Sequence, residues 1–238
     1  GASARSAWNA SAAANSDVRA AIRKRGIAAS TLTILDALMR LRQLCCDPRL
    51  LKSEAARFVR ESAKYELFFE LLEQLLRDGH RVLVFAQFTS MLALLAHGLR
   101  ERRLGYATLT GATLNRQKQV DDFERGRSDV FLISLKAGGT GLNLIAVSHV
   151  IHFDRWWNPA VENQATDRAY RIGQHCNVLV HKFLCRGTVE ERIDDLIAAK
   201  TALTEELLGS GDELPLTELS NEELMKLVSL DIRGAAAE

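Results

Sequence analysis

A chain of 238 residues, 47% hydrophobic and 26% charged, has the make-up of a soluble globular protein and is long enough to bury a sizeable core without staples. No apolar run approaches the roughly 20 residues that a membrane span requires, and the opening GASARSAWNAS lacks the charged and apolar regions of a secretory signal. The net charge of +1 hides an asymmetry: residues 201–238 carry nine acidic and two basic side chains, net −7, which leaves +8 on residues 1–200, a balance compatible with a polyanionic partner.

Residues 1–16, rich in Ala, Ser and Asn, have little pattern and are expected to be disordered or added in cloning. From Asp17 to Cys46 the residues Leu32, Leu35, Leu38, Met39, Leu41 and Leu44 recur at helical spacing, and Pro48 supplies a stop. Ser62 can cap a second helix, whose stripe of Leu67, Phe68, Leu71, Leu72, Leu75 and Leu76 ends at Gly79. Short β-rich runs follow at 82–86, 106–109, 129–133, 149–153 and 178–184, separated by helical patterns at 89–103, 114–125 and 160–170. Strands alternating with helices predict a doubly wound α/β fold, a parallel sheet covered on both faces, and the continuous apolar run VLVFA reads as a strand buried on both sides. Thr188 with Glu191 forms a capping box for a helix through about residue 207, and Ser220 with Glu223 a second one for a short acidic helix over 221–229. The expected organisation is therefore an N-terminal helical segment at 17–61, an α/β domain at 62–187 and a helical, acidic tail at 188–238. The cysteines, Cys45, Cys46, Cys176 and Cys185, form no C-x-x-C pair and no zinc spacing with a histidine, so reduced thiols in a reducing compartment, cytoplasmic or nucleoid/nuclear, are expected.

Three stretches carry chemistry. The cluster Ser134-Leu-Lys136-Ala-Gly138-Gly139-Thr140-Gly141-Leu-Asn143 follows the 129–133 strand, and its glycines let backbone N–H groups approach a ligand closely; the same spacing also serves a plain strand-to-helix turn. Arg168 and Arg171, three apart on a helix that begins before Gln164, leave the same face, and two forked permanent cations suit a terminal phosphate. An isolated pair of that spacing also serves as a solvated face paired with Asp167 or Glu162. In Phe153-Asp-Arg-Trp156-Trp157-Asn-Pro159 the two adjacent tryptophans cannot both face one interior, so one is core and the other is exposed for a partner. A phosphate-cradling G-x-x-x-x-G-K-[ST] occurs nowhere in the sequence, and no Asp-Glu pair follows a strand to hold magnesium, so this chain alone is not expected to hydrolyse ATP.

Taken together, LVFAQFTSMLALL (83–95), TGATLNRQKQVDDFERG (110–126), VFLISLKAGGTGLNL (130–144), VIHFDRWWNPAVENQATDRAYRIGQ (150–174) and TVEERI (188–193) resemble, in order and spacing, motifs four, five and six of the C-terminal motor half of Swi/Snf-family ATPases, within helicase superfamily two. LRQLCCDPRLL (41–51) resembles the helix leading into that lobe, and Ser62-Ala-Lys64 its opening. The likeness covers roughly residues 35–230, with Asp47 standing where the family usually has His or Asn, and Tyr170 where it usually has His.

That resemblance implies a RecA-like lobe that closes with an N-terminal RecA-like lobe over ATP and Mg2+, the metal being held mainly by the other lobe. It implies catalytic roles for Arg168 and Arg171, which would neutralise charge on the transferring phosphoryl group. Gly139, Gly141, Asn143 and Gln164 would meet the nucleotide. Gln87, Thr110, Arg116, Lys136 and Trp157 would meet duplex DNA without sequence preference. The helix at 188–207 resembles a brace crossing back to the first lobe. RNA polymerase or another DNA-bound protein is a further partner the family allows. A strand-separating helicase lobe, and a non-catalytic DNA- or protein-binding module of the same fold, are the alternatives; the paired arginines argue against the last.

Overall fold

The computed structural model describes residues 31–51, 62–138, 144, 147–156, 159–167 and 177–208. Two compact units divide the chain, one formed by residues 1–62 and 184–238, the other by Ala63–Phe183.

The second unit is built on a five-stranded, wholly parallel sheet in the order β2-β3-β1-β4-β5: β1 is Val82–Ala86, β2 Tyr106–Leu109, β3 Val130–Ser134, β4 His149–His152 and β5 Leu179–Lys182. In chain order its helices are α2 (Ala63–Arg77), α3 (Thr89–Glu101), α4 (Arg116–Glu124), the single turn α5 (Leu135–Gly138) and α6 (Pro159–Asp167); α1 (Thr31–Cys46) and α7 (Val189–Leu208) belong to the first unit. The doubly wound parallel sheet expected from the strand–helix alternation is the fold observed.

The three inner strands are buried along their whole length, β2 is half-buried and β5 is mostly exposed. Their composition follows from that placement. VLVFA and VFLIS have helices over both faces and no polar side to show, whereas β5, LVHK, sits at the edge. On one face Leu83, Phe85, Phe131, Ile133 and Val150 pack with Phe123 of α4, Ala165 of α6 and Leu135 of α5. Residues of opposite parity turn to the other face, where α2 and α3 lie against the central strands.

Helix ends are fixed by local chemistry. The stop read at Gly79 is a Schellman closure, with His80 N–H on the Leu75 carbonyl (2.9 Å), Gly79 N–H on that of Leu76 (3.1 Å) and φ of +77° at the glycine. In the first unit Thr188 accepts from Glu190 N–H at 3.2 Å and Glu191 from Gly187 N–H at 2.8 Å, so the Thr188–Glu191 pair closes the start of α7 from both sides. Asp47, where the sequence departs from the pattern it resembles, is buried, accepts from Arg49 N–H at 2.9 Å and holds the Arg49 guanidinium at 2.7–2.8 Å, capping the short 3-10 turn Pro48–Leu50.

Candidate functional site

In a parallel sheet every strand ends at the same edge, so the loops after the strands gather there whatever their order in sequence. Gln87 is the first residue after β1, Thr110 the first after β2, and Lys136 the second after β3. These three candidates, far apart in the chain, therefore share the carboxyl edge. Lys136 is exposed; Gln87 and Thr110 are half-buried. Thr110 is built into its own turn, its N–H donating to Thr113 Oγ1 at 2.9 Å and its hydroxyl accepting from Ala112 N–H at 3.3 Å. Arg116, the first residue of α4, donates from Nη2 to the Ala137 carbonyl at 2.7 Å and so ties α4 to α5, an intramolecular role that the sequence does not announce.

The loop after β4 is held by groups that sequence reasoning passed over. Asp154, 1% exposed, takes the Gln87 backbone N–H on both carboxylate oxygens at 2.9 and 3.1 Å, locking the ends of β1 and β4 together. Lys64, buried in the first turn of α2, donates to the Phe153 carbonyl at 3.2 Å. Glu162, fully buried on α6, binds the Arg155 guanidinium, accepts the Trp156 N–H at 2.7 Å and lies 3.3 Å from Lys182 Nζ. One carboxylate thus fastens the start of α6 to the loop and to β5. Trp156 packs against the core cluster. The Asp154–Gln87, Lys64–Phe153 and Glu162–Lys182 contacts join residues whose meeting is decided by the fold, whereas those of Glu162 with Arg155 and Trp156 are local to the loop and the first turn of α6.

His152 sets the other side of α6. Thr166 donates its hydroxyl to the Glu162 carbonyl at 2.9 Å, so its lone pair receives the His152 Nε2 proton at 2.9 Å, which leaves Nδ1 without a hydrogen. Burial first, then the neighbouring Lys182 and Arg155 charges, push the imidazole down to a pKa of about 3, and it stays neutral, stacked on Phe85.

Gln164 is exposed on α6, the helix that leads toward the arginine pair. Arg168, Arg171, Gly139, Gly141, Asn143 and Trp157 lie outside the described residues. Among the described residues, no group of three or more His, Cys, Asp or Glu side chains could hold a metal ion, and no helix is long and apolar enough to cross a membrane. The described part of the edge thus offers an exposed cation, Lys136, which suits an anionic ligand, and a buried Gln87 Oε1 with no hydrogen-bond partner among the described residues, which suits a ligand's hydrogen-bond donor.

Comparison with known proteins matches residues 63–173 to the helicase conserved C-terminal domain. The putative ATP-dependent helicase/translocase YwqA of Bacillus subtilis is 43% identical over 203 residues, 83% of this chain and 22% of that protein. The chain spans about a fifth of the length of curated relatives such as this one. A solved SWI2/SNF2 ATPase C-terminal domain from Sulfolobus solfataricus superposes with a TM-score of 0.67 at 32% identity, covering 94% of each chain. The SWI2/SNF2 ATPase core of that organism in complex with dsDNA superposes with a TM-score of 0.70 at 35% identity, over 94% of this chain and 48% of that one.

Proposed function

Since this chain belongs to the SWI2/SNF2 ATPase family, as its helicase C-terminal domain, we propose that it is the second motor lobe of an ATP-driven duplex-DNA translocase. In this reading Arg168 and Arg171 reach across to a phosphate-binding lobe of the same protein and neutralise charge on the transferring phosphoryl group as the cleft closes. Gly139, Gly141, Asn143 and Gln164 hold the nucleotide from this side. The Mg2+ ligands are assigned to the other lobe, since no Asp-Glu pair follows a strand in this sequence to hold the metal. Gln87, Thr110, Arg116, Lys136 and Trp157 contact the duplex backbone, which gives affinity without sequence preference. ATP turnover by this chain alone is not part of the proposal, because the G-x-x-x-x-G-K-[ST] loop is missing from its sequence.

The observation that carries the reading is the common carboxyl edge: Gln87, Thr110 and Lys136 stand at the ends of three parallel strands, and α6, pinned there by Glu162, leads into the arginine pair. The DNA-bound relative supports the choice of duplex DNA.

The test is steady-state ATPase kinetics of the protein carrying both lobes, with saturating duplex DNA, single-stranded DNA or RNA. Arg168→Ala and Arg171→Ala are each expected to lower kcat on the order of 10³-fold with little change in KM, and Lys is expected to rescue poorly because a point charge cannot copy a bidentate fork. Near-normal kcat in both Ala variants overturns the arginine assignment. Equal stimulation by all three nucleic acids overturns the duplex assignment.

A further inference from the structure

We propose that Cys45 and Cys185 form a redox-modification site, a thiol pair that closes into a disulfide between the chain segments entering and leaving the sheet-bearing unit. The two residues are 140 apart in sequence and belong to the same compact unit. Cys45 is the penultimate residue of α1, and Cys185 lies three residues before the Thr188 cap of α7. The Cys185 thiol donates to the Cys45 carbonyl at 3.4 Å, and its sulfur is also the hydrogen-bond partner of the Cys45 thiol. That contact sets the Cys185 sulfur against the Cys45 main chain, bringing together two side chains 140 residues apart.

The surrounding hydrogen bonds hold that geometry. Cys185 N–H donates to Glu190 Oε2 at 3.0 Å, and the Thr188 hydroxyl donates to the Cys185 carbonyl at 2.6 Å. On the other side Ser62 Oγ donates to the Cys46 carbonyl at 3.3 Å and Asp47 N–H to the Gln43 carbonyl at 2.9 Å. The residues Cys45 and Cys185 are half-buried, whereas the adjacent Cys46 is fully buried.

The roles within the pair are unequal. The hydrogen bond to Cys185, burial and the Glu190 carboxylate hold the Cys45 thiol well above its ordinary pKa, so it keeps its proton and is the poorer first nucleophile. With a small-molecule disulfide as oxidant, Cys185 loses its proton and attacks one oxidant sulfur, breaking the S–S bond and expelling one thiolate. Cys45 then loses its proton and attacks the Cys185 sulfur, forming the protein disulfide and expelling the second thiolate. Two protein S–H bonds become one S–S bond, and the two electrons and two protons leave on the two small thiols.

The experiment treats the reduced 238-residue chain with glutathione disulfide and maps the product by mass spectrometry, non-reducing gel and thermal unfolding. A Cys45–Cys185 linked peptide, faster non-reducing migration and a melting temperature raised by about 5 °C or more, all reversed by dithiothreitol, are expected from closing so long a loop. The linked peptide should vanish in Cys45→Ser and in Cys185→Ser, and persist in Cys46→Ser, with circular dichroism checking that each variant is folded. Cys185→Ala provides the same test should the serine variant misfold. Persistence of a stable glutathione adduct on Cys185, linkage through Cys46 or Cys176, or chain-to-chain dimers would overturn the assignment.

Discussion

A carboxylate buried without partners costs several kcal/mol, and Glu162 avoids that cost by giving its oxygens to Arg155, the Trp156 N–H and Lys182. The residue beside this network with the most readable signature is His152. Its folded pKa of about 3 lies below the roughly 6.5 of an unfolded histidine, so between those values the unfolded chain binds the extra proton. Stability conferred by the neutral ring is fully present above about pH 6.5 and is lost as pH falls toward 3, at a slope approaching about 1.4 kcal/mol per pH unit from this residue. Burial lowers His149 and His181 in the same direction. His152→Gln keeps an N–H donor for Thr166 and removes the titration. Urea unfolding at pH 5, 6 and 7 should therefore give a flatter stability profile in the variant than in the parent; parallel profiles would show that His152 does not carry the acid sensitivity.

Among the described residues, three helices of the sheet-bearing unit end in the same Schellman pattern, two of them with glycine and one without. Gly79 and Gly126 adopt φ of +77° and +74°, while Arg103, closing α3 through Arg103 N–H on the Arg100 carbonyl (3.0 Å) and Leu104 N–H on the Leu99 carbonyl (2.9 Å), adopts φ of +58° with a side chain attached. Arg103 is exposed, so Arg103→Gly is expected to raise stability by about 1 kcal/mol, measured as a higher urea midpoint at unchanged m-value. A lower midpoint would mean that the guanidinium holds something the closure geometry does not reveal. The element level is also where the sequence was most legible. Hydrophobic period located all five strands to within two residues, and Gly79 and the Thr188–Glu191 pair marked helix ends through chemistry that is local in the chain. The turn α5 went unread because it has four residues and no period of its own, and β5 is shorter than its apolar run because its pairing with β4 spans only Leu179–Lys182. Gln87 and Thr110 were singled out by motif likeness alone, Lys136 by that likeness and by the glycine cluster beside it, and the ligand roles of all three are proposals. Asp154, Lys64 and His152 escaped because their partners Gln87, Phe153 and Thr166 are brought to them by sheet order and helix packing, not by any pattern in the residues themselves.

On the scale of the molecule, parallel strands turn scattered sequence positions into one working edge and leave the opposite edge to turns. If that edge meets a nucleic-acid backbone, Lys136→Ala should weaken duplex binding to a similar extent on unrelated sequences and reduce the slope of log affinity against log salt by about 1. Fluorescence anisotropy across a salt series measures both, and an unchanged slope would remove Lys136 from the interface. The strand order has a further consequence, for synthesis. β1 lies at the centre, but its two neighbours, β3 and β4, are encoded well downstream, and β2, made next after β1, touches only β3. On a ribosome adding about 5–20 residues per second, VLVFA leaves the exit tunnel seconds before any strand that can pair with it. The nascent chain must carry this apolar stretch without its strand partners through that interval, which makes a pause in translation between β1 and β3 more hazardous than one after β4.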